Sequence, residues 1–157
     1  MLQGAAQDFD AFYQQRTPEP AAGSILVAAV DGKGIPMVKP GGAPPRVRLT
    51  KGQKANRKRV ATVAAVFTRA PWVRTPEQLV ESLFRIRRQT SADGQTPPRP
   101  ENKRVWASLL KGKTAVIEEV AQEMQRRDPQ GSKTRLALSD GERALQRLVE
   151  QTLGASL

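Results

Sequence analysis

The chain has 157 residues, with 26 lysines and arginines against 15 aspartates and glutamates, and a formal net charge of +11. This excess of positive charge indicates a polyanionic partner. Nucleic acid is the leading candidate, and an anionic membrane surface is the competitor. The sequence has no cysteine and no histidine, which excludes disulfides, thiolate sites, histidine-based triads and histidine-ligated zinc. Any catalysis must use carboxylates, lysine, hydroxyl groups or a metal held by oxygen atoms.

Neither a membrane span nor a secretion signal is predicted. The longest apolar runs, residues 25–30 and 60–67, are far shorter than the roughly 20 residues that a spanning helix needs. Residues 1–10 have neither a basic start nor an apolar stretch, so no signal peptide is expected. Because the lack of cysteine suits a reducing compartment, we expect a cytoplasmic protein without a membrane partner.

Hydrophobic periodicity and turn residues predict an alternation of strands and helices. Residues 1–23 are expected to form an N-terminal arm or linker, and 24–157 a single α/β core with a basic insertion at about 39–58. Within this core the strand runs at 25–30 and 59–67 are continuous and apolar, which is typical of strands buried on both faces. The further expected elements are a helix after the Thr75 cap, a strand at 104–109, a helix from Thr114, a strand at 134–138 and a helix at 142–153.

Two aspartates stand out because each follows a predicted strand and precedes a glycine. Asp31 comes after the first strand and Asp140 after the last. Functional side chains gather at strand ends in α/β sheets, and paired carboxylates are hard oxygen ligands suited to Mg²⁺ or Mn²⁺. Such a site could serve phosphodiester chemistry. Two plainer interpretations stay open: Asp31 marks a turn, and Asp140 caps the last helix.

A stretch of seven cations without an acid is the second candidate site. A contact with nucleic acid is the favoured interpretation, given that the whole chain is basic, and a solvated charged loop is the alternative. The predicted DNA-binding residues are Arg46, Arg48, Lys51, Lys54, Arg57, Lys58 and Arg59.

Several segments, in order along nearly the whole chain, resemble the ISKra-type family of insertion-sequence transposases. The resemblance implies a DDE-type transposase with a ribonuclease-H-like core, in which a mixed sheet is flanked by helices. The matching segments are 9–13 (FDAFY), 30–37 (VDGKGIPM), 58–67 (KRVATVAAVF), 73–77 (VRTPE), 102–109 (NKRVWASL), 126–129 (RRDP) and 138–141 (LSDG).

By this resemblance Asp31 and Asp140 are the first and second catalytic, metal-binding acids, with Mg²⁺ or Mn²⁺ as cofactor. The third acid, a glutamate, is expected beyond residue 157, as is a histidine-containing stretch. Ser139 stands where the family pattern has valine. We therefore expect a chain truncated at both ends and inactive alone, with transposon-end and target DNA as partners and self-association into a homo-oligomer.

Two other classes of function remain open. One is a basic nucleic-acid-binding protein without chemistry, and the other is a subunit that completes its site by assembling with another chain. The presence or absence of a third carboxylate at the site distinguishes these functions from that of a transposase. Glu142 is too close to Asp140 in sequence to act from across a sheet, and Glu150 is a weak candidate.

We predict salt-sensitive, largely sequence-independent binding of duplex DNA through residues 46–59. Replacing Arg57, Lys58 and Arg59 with alanine should lower the slope of log affinity against log salt by up to about 0.9 per lost contact, because each contact releases counterions. Titrations of a labelled duplex at several salt concentrations measure this slope. Unchanged affinity in the triple variant would mean that the stretch is only a solvated surface.

Overall fold

The computed structural model describes Ala11, Tyr13 and residues 22–37, 58–84 and 96–154. The architecture is α/β, as the sequence predicts. Most of the predicted N-terminal arm and of the basic insertion lies outside the described residues. The elements are β1 (Ile25–Pro36), β2 (Lys58–Arg69), α1 (Pro76–Leu83), β3 (Glu101–Ser108), α2 (Lys113–Arg127), β4 (Thr134–Ser139) and α3 (Arg143–Leu153).

The four strands form one mixed sheet in the order β3-β2-β1-β4. β1 and β2 pair antiparallel over their full lengths, and β3 continues antiparallel on β2. β4 instead lies parallel to β1, from Ile25 opposite Thr134 to Val30 opposite Ser139. Because parallel strands cannot be joined by a tight turn, the chain needs a crossover between β3 and β4, and α2 provides it.

One face of the sheet is covered by α2 and α3. Side chains alternate between the two faces of a strand, so the even-numbered residues of β1 point towards the helices. They meet apolar stripes on both helices, and each large side chain buried there contributes roughly 1.5–3 kcal/mol. The core consists of Leu26, Ala28, Val30, Ala64, Val66, Val116, Ile117, Val120, Met124, Leu145, Val149 and Leu153.

The opposite face of the sheet is only partly covered. Val105, Leu136 and Leu138 are 53%, 45% and 48% exposed on it. β2 consequently alternates between buried and partly exposed positions, and the prediction that its apolar run is buried on both faces was wrong. The sequence could not distinguish these cases, because small residues such as Ala65 fit a buried or a half-open face equally well.

Helix α1 begins at the predicted capping box. The Gln78 backbone N–H donates to Thr75 Oγ1 at 3.3 Å, and the Thr75 N–H donates back to Gln78 Oε1 at 3.0 Å. No residue of α1 is buried. Its apolar residues are therefore presented to solvent, with Leu83 at 79% exposure.

The loop between α2 and β4 is fixed by the buried carboxylate of Asp128. Its oxygens accept hydrogen bonds from the backbone N–H groups of Ser132 and Lys133 at 2.8 and 3.2 Å, and Arg135 Nε lies at 3.4 Å. Gly131 has a φ of 65°, which favours glycine. This loop sets the point at which β4 enters the sheet beside β1.

Candidate functional site

The pairing of β1 with β4 brings Asp31 and Asp140 next to each other. Val30 and Ser139 are the last residues of the parallel register, and the two aspartates are the next residues along the two chains. Both are exposed. Neighbouring strands lie about 4.8 Å apart, so two carboxylates far apart in sequence extend from adjacent backbone segments. Their role as metal ligands stays a prediction.

Asp31 lies within β1 and not at the strand end that the sequence predicted. The strand continues to Pro36, with Gly32 opposite Thr62 in β2. Every residue of this part of β1 has a pairing partner in β2, so Asp31 and Gly32 adopt the strand conformation. The interpretation of Asp31 as a turn residue was therefore wrong. Gly32 faces Glu142, because a Cβ at this position would lie 3.5 Å from Glu142 Oε2, an ordinary van der Waals distance.

Asp140 forms the turn that leads into α3. Its Oδ1 accepts a hydrogen bond from the Glu142 backbone N–H at 3.2 Å. The helix itself has Glu142 as its N-cap residue, without a side-chain capping bond. Asp140 thus has a local role in the turn, but it is not the helix cap that the plainer interpretation proposed, because the N-cap residue is Glu142. This bond uses one carboxylate oxygen, and the residue stays exposed.

Among the described residues, no third carboxylate joins this pair. Glu142 forms an ion pair with Lys113 Nζ and lies against Gly32, on the helix-covered face, whereas Asp31 belongs to the opposite face by strand alternation. Glu150 is exposed on α3. Among the residues that the structure describes, no group of three or more histidine, cysteine, aspartate or glutamate side chains could hold a metal ion.

Two of the seven predicted DNA-binding cations are described. Lys58 and Arg59 are exposed at the start of β2, opposite Pro36 and Ile35, where the β1–β2 ladder extends beyond β4. Val63 in β2 pairs with Asp31, and Arg59 precedes Val63 by four residues on the same strand. The backbone of Arg59 is therefore roughly 13 Å from the position of Asp31 along the strand direction. The remaining five cations lie outside the described residues: Arg46, Arg48, Lys51, Lys54 and Arg57.

A cluster of three arginines around one buried glutamate was not predicted from the sequence. The Glu123 carboxylate is 2.9 Å from Arg104 Nη1, 3.3 Å from Arg126 Nη2 and 2.7 Å from Arg127 Nε. The Tyr13 hydroxyl donates to the same carboxylate at 3.2 Å. We call these five residues the Glu123 cluster; it joins α2 to β3 and to the N-terminal region.

Burial raises the pKa of the Glu123 carboxyl, but the hydrogen bond from Arg127 and the charges of the three guanidinium groups lower it more. The net result is a pKa below the ordinary value. The i,i+3 and i,i+4 spacings of Glu123 with Arg126 and Arg127 were a visible signal. The contribution of Arg104 depends on how β3 packs against α2, which no local pattern reveals.

No family model, no curated protein and no solved structure matches the chain. In the described part of the chain, no helix is long and apolar enough to cross a membrane.

We predict that the Glu123 cluster makes the stability of the protein sensitive to acid. Because the pKa of Glu123 in the folded state lies below the reference value of 4.5, its contribution is complete above that pH and is lost as the pH falls through the folded-state pKa. Glu123→Gln should lower the free energy of unfolding at neutral pH by about 3 kcal/mol, since it leaves buried cations uncompensated. It should also flatten the acid dependence. Urea denaturation at several pH values measures both.

The matched control is Glu118→Gln, an exposed position on the same helix, which should change neither quantity appreciably. Full acid dependence in Glu123→Gln would contradict the prediction. It would assign the effect to Asp128 instead, whose pKa is also lowered: burial raises it, but hydrogen bonds from Ser132, Lys133 and Arg135 outweigh burial.

Proposed function

We propose that this chain is a DNA-handling domain that corresponds to the first part of a ribonuclease-H-like transposase core of the DDE type. The observation that carries the proposal is the position of Asp31 on β1 and of Asp140 directly after β4, beside each other at the end of the parallel pairing. The resemblance to insertion-sequence transposases singles out these same two residues. The net charge of +11 supports DNA as the substrate.

The sheet topology supports the proposed fold. Three antiparallel strands are followed by a helical crossover and a fourth strand parallel to the first, with the helices α2 and α3 on one face. This arrangement is compatible with the mixed sheet and flanking helices of a ribonuclease-H-like core. The open face, where Leu136 and Leu138 are about half exposed, leaves room for the further protein contacts of a homo-oligomer.

In this proposal Asp31 and Asp140 would bind a divalent cation through their carboxylate oxygens. Mg²⁺ or Mn²⁺ would supply activation of a water molecule and stabilisation of the leaving oxygen of a phosphodiester. Lys58 and Arg59, on the projecting end of the β1–β2 ladder, would bind backbone phosphates of the same DNA. Lys113 holds Glu142 in an ion pair, so that glutamate does not add to the acidic pair.

The pair does not complete a two-metal site. Two carboxylates suffice for one magnesium ion that keeps several waters, whereas two-metal chemistry needs cations held about 3.5–4 Å apart by more ligands. We therefore propose that the chain binds DNA and metal without turnover on its own. A partner chain that supplied a further carboxylate would change this outcome.

The second candidate function is non-catalytic nucleic-acid binding. Two observations favour it. Among the described residues, no third carboxylate joins Asp31 and Asp140 in a group that could hold a metal ion, and Lys58 and Arg59 are exposed. The two proposals differ in whether Asp31 matters. A catalytic remnant uses this residue to bind metal against DNA, whereas a purely electrostatic binder is hindered by its negative charge.

We predict that the chain binds duplex DNA but does not cut it, in Mg²⁺ or in Mn²⁺. Adding Mn²⁺ at constant ionic strength should tighten DNA binding by the unmodified chain and have less effect on Asp31→Ala, because only the former has both carboxylates. Gel-shift and strand-cleavage assays on one labelled duplex measure both properties, with Glu150→Ala as a control for the loss of an exposed carboxylate.

Equal effects of Mn²⁺ on the chain and on Asp31→Ala would favour the non-catalytic alternative. Cleavage by the unmodified chain that is lost in Asp31→Ala would show that the site is complete, for instance through dimerisation. That result would overturn the proposal that the chain is inactive alone.

A further inference from the structure

A cleft between β3 and α2 has a polar, cationic lining. Its volume is about 370 Å³, and it lies at the β3 edge of the sheet, the edge opposite β4. It is therefore separate from the Asp31–Asp140 pair. The lining residues are Tyr13, Arg104, Lys111, Glu119, Gln122, Glu123 and Arg126.

Among the residues that the structure describes, positive charge exceeds negative charge around this cleft. Arg104, Arg126 and Arg127 all contact the single carboxylate of Glu123. Glu119 is paired with Lys111. Four cations thus share two carboxylates, and Arg127 and Glu123 are almost fully buried, with side-chain exposures of 6% and 2%. Excess buried charge is costly unless a counter-charge compensates it.

Within the described part of the chain, two guanidinium donors in the cluster have no acceptor. Arg104 Nε and Arg126 Nε are both shielded from solvent and make no hydrogen bond. The Arg104 guanidinium lies 3.8 Å from the Tyr13 ring centroid and 4.6 Å from that of Trp106. Stacking occupies the faces of a guanidinium, so a further ligand must approach in its plane, where the N–H donors point. A buried donor without an acceptor is destabilising, because it has lost its hydrogen bonds to water.

We infer that this cleft binds a tetrahedral oxyanion of the phosphate class, either free or as a phosphodiester of nucleic acid. Such an anion compensates the excess positive charge. It also accepts charge-assisted hydrogen bonds from arginine, whose planar guanidinium group is well suited to binding phosphate oxygens. The inference does not depend on the proposed metal site or on the basic stretch at 46–59. It adds a second anion-binding region made entirely of described residues.

The test uses the full chain and inorganic phosphate, whose binding is followed by the broadening of its phosphorus NMR signal at constant ionic strength. The main variant is Gln122→Glu, which places a negative charge in the lining at an exposed helical position and removes no core contact. Phosphate binding should weaken about tenfold because of like-charge repulsion. Gln151→Glu, exposed on α3, changes the net charge equally and should bind phosphate like the unmodified chain.

A short duplex, titrated against the same variants, identifies the source of the anion. If Gln122→Glu weakens both phosphate and duplex binding relative to Gln151→Glu, the cleft takes a backbone phosphate. If only phosphate binding weakens, the cleft takes a free oxyanion. Failure of the unmodified chain to bind phosphate, or equal binding by the two variants, overturns the inference.

Discussion

The packing of α2 across the sheet is the constraint on which the rest of the structure depends. Its buried stripe, which includes Ile117 and Val120, contacts residues of β1 and β2. The helix therefore returns the chain from the β3 edge of the sheet to the opposite edge, where β4 lies. β4 can then pair in parallel with β1, and Asp128 fixes the loop through which it enters. Asp31 and Asp140 become neighbours as a consequence of this packing.

The two faces of the sheet differ in what covers them, and the candidate sites are divided between them. The face under α2 and α3 has a continuous core and, at its β3 side, the Glu123 cluster. The opposite face carries Asp31 and the half-exposed Leu136 and Leu138. Exposed apolar patches of this kind are typical of surfaces that contact other molecules. The acidic pair thus lies beside a surface suited to assembly, while the cationic cleft lies on the side that is already packed.

Local signals in the sequence predicted most element starts. The Thr75 cap of α1 depends on neighbouring residues alone, and the structure has it as a capping box with Gln78. The end of β1 could not be predicted in this way. Gly32 and Gly34 are typical of a turn, but pairing with β2 holds them in the strand. Pairing over such a distance is invisible in a local pattern.

The same reason explains which site residues were predictable. Asp31 and Asp140 could be singled out because each follows an apolar run and precedes a glycine. The Glu123 cluster could not, because Arg104 reaches Glu123 only when β3 and α2 are packed together. No third carboxylate joins the pair in the part of the chain that the structure describes, and this too is a tertiary property: Glu142 is close in sequence to Asp140 but is held on the other face by Lys113.

We propose that Asp31 and Asp140 form one cation-binding pair across the β1–β4 boundary. Paramagnetic broadening of backbone amide NMR signals by substoichiometric Mn²⁺ tests it directly, because the broadening falls steeply with distance from the ion. We expect simultaneous broadening of amides around residues 31 and 140, and loss of both effects in Asp31→Asn. Broadening near only one of the aspartates, or broadening that persists in the variant, would contradict it.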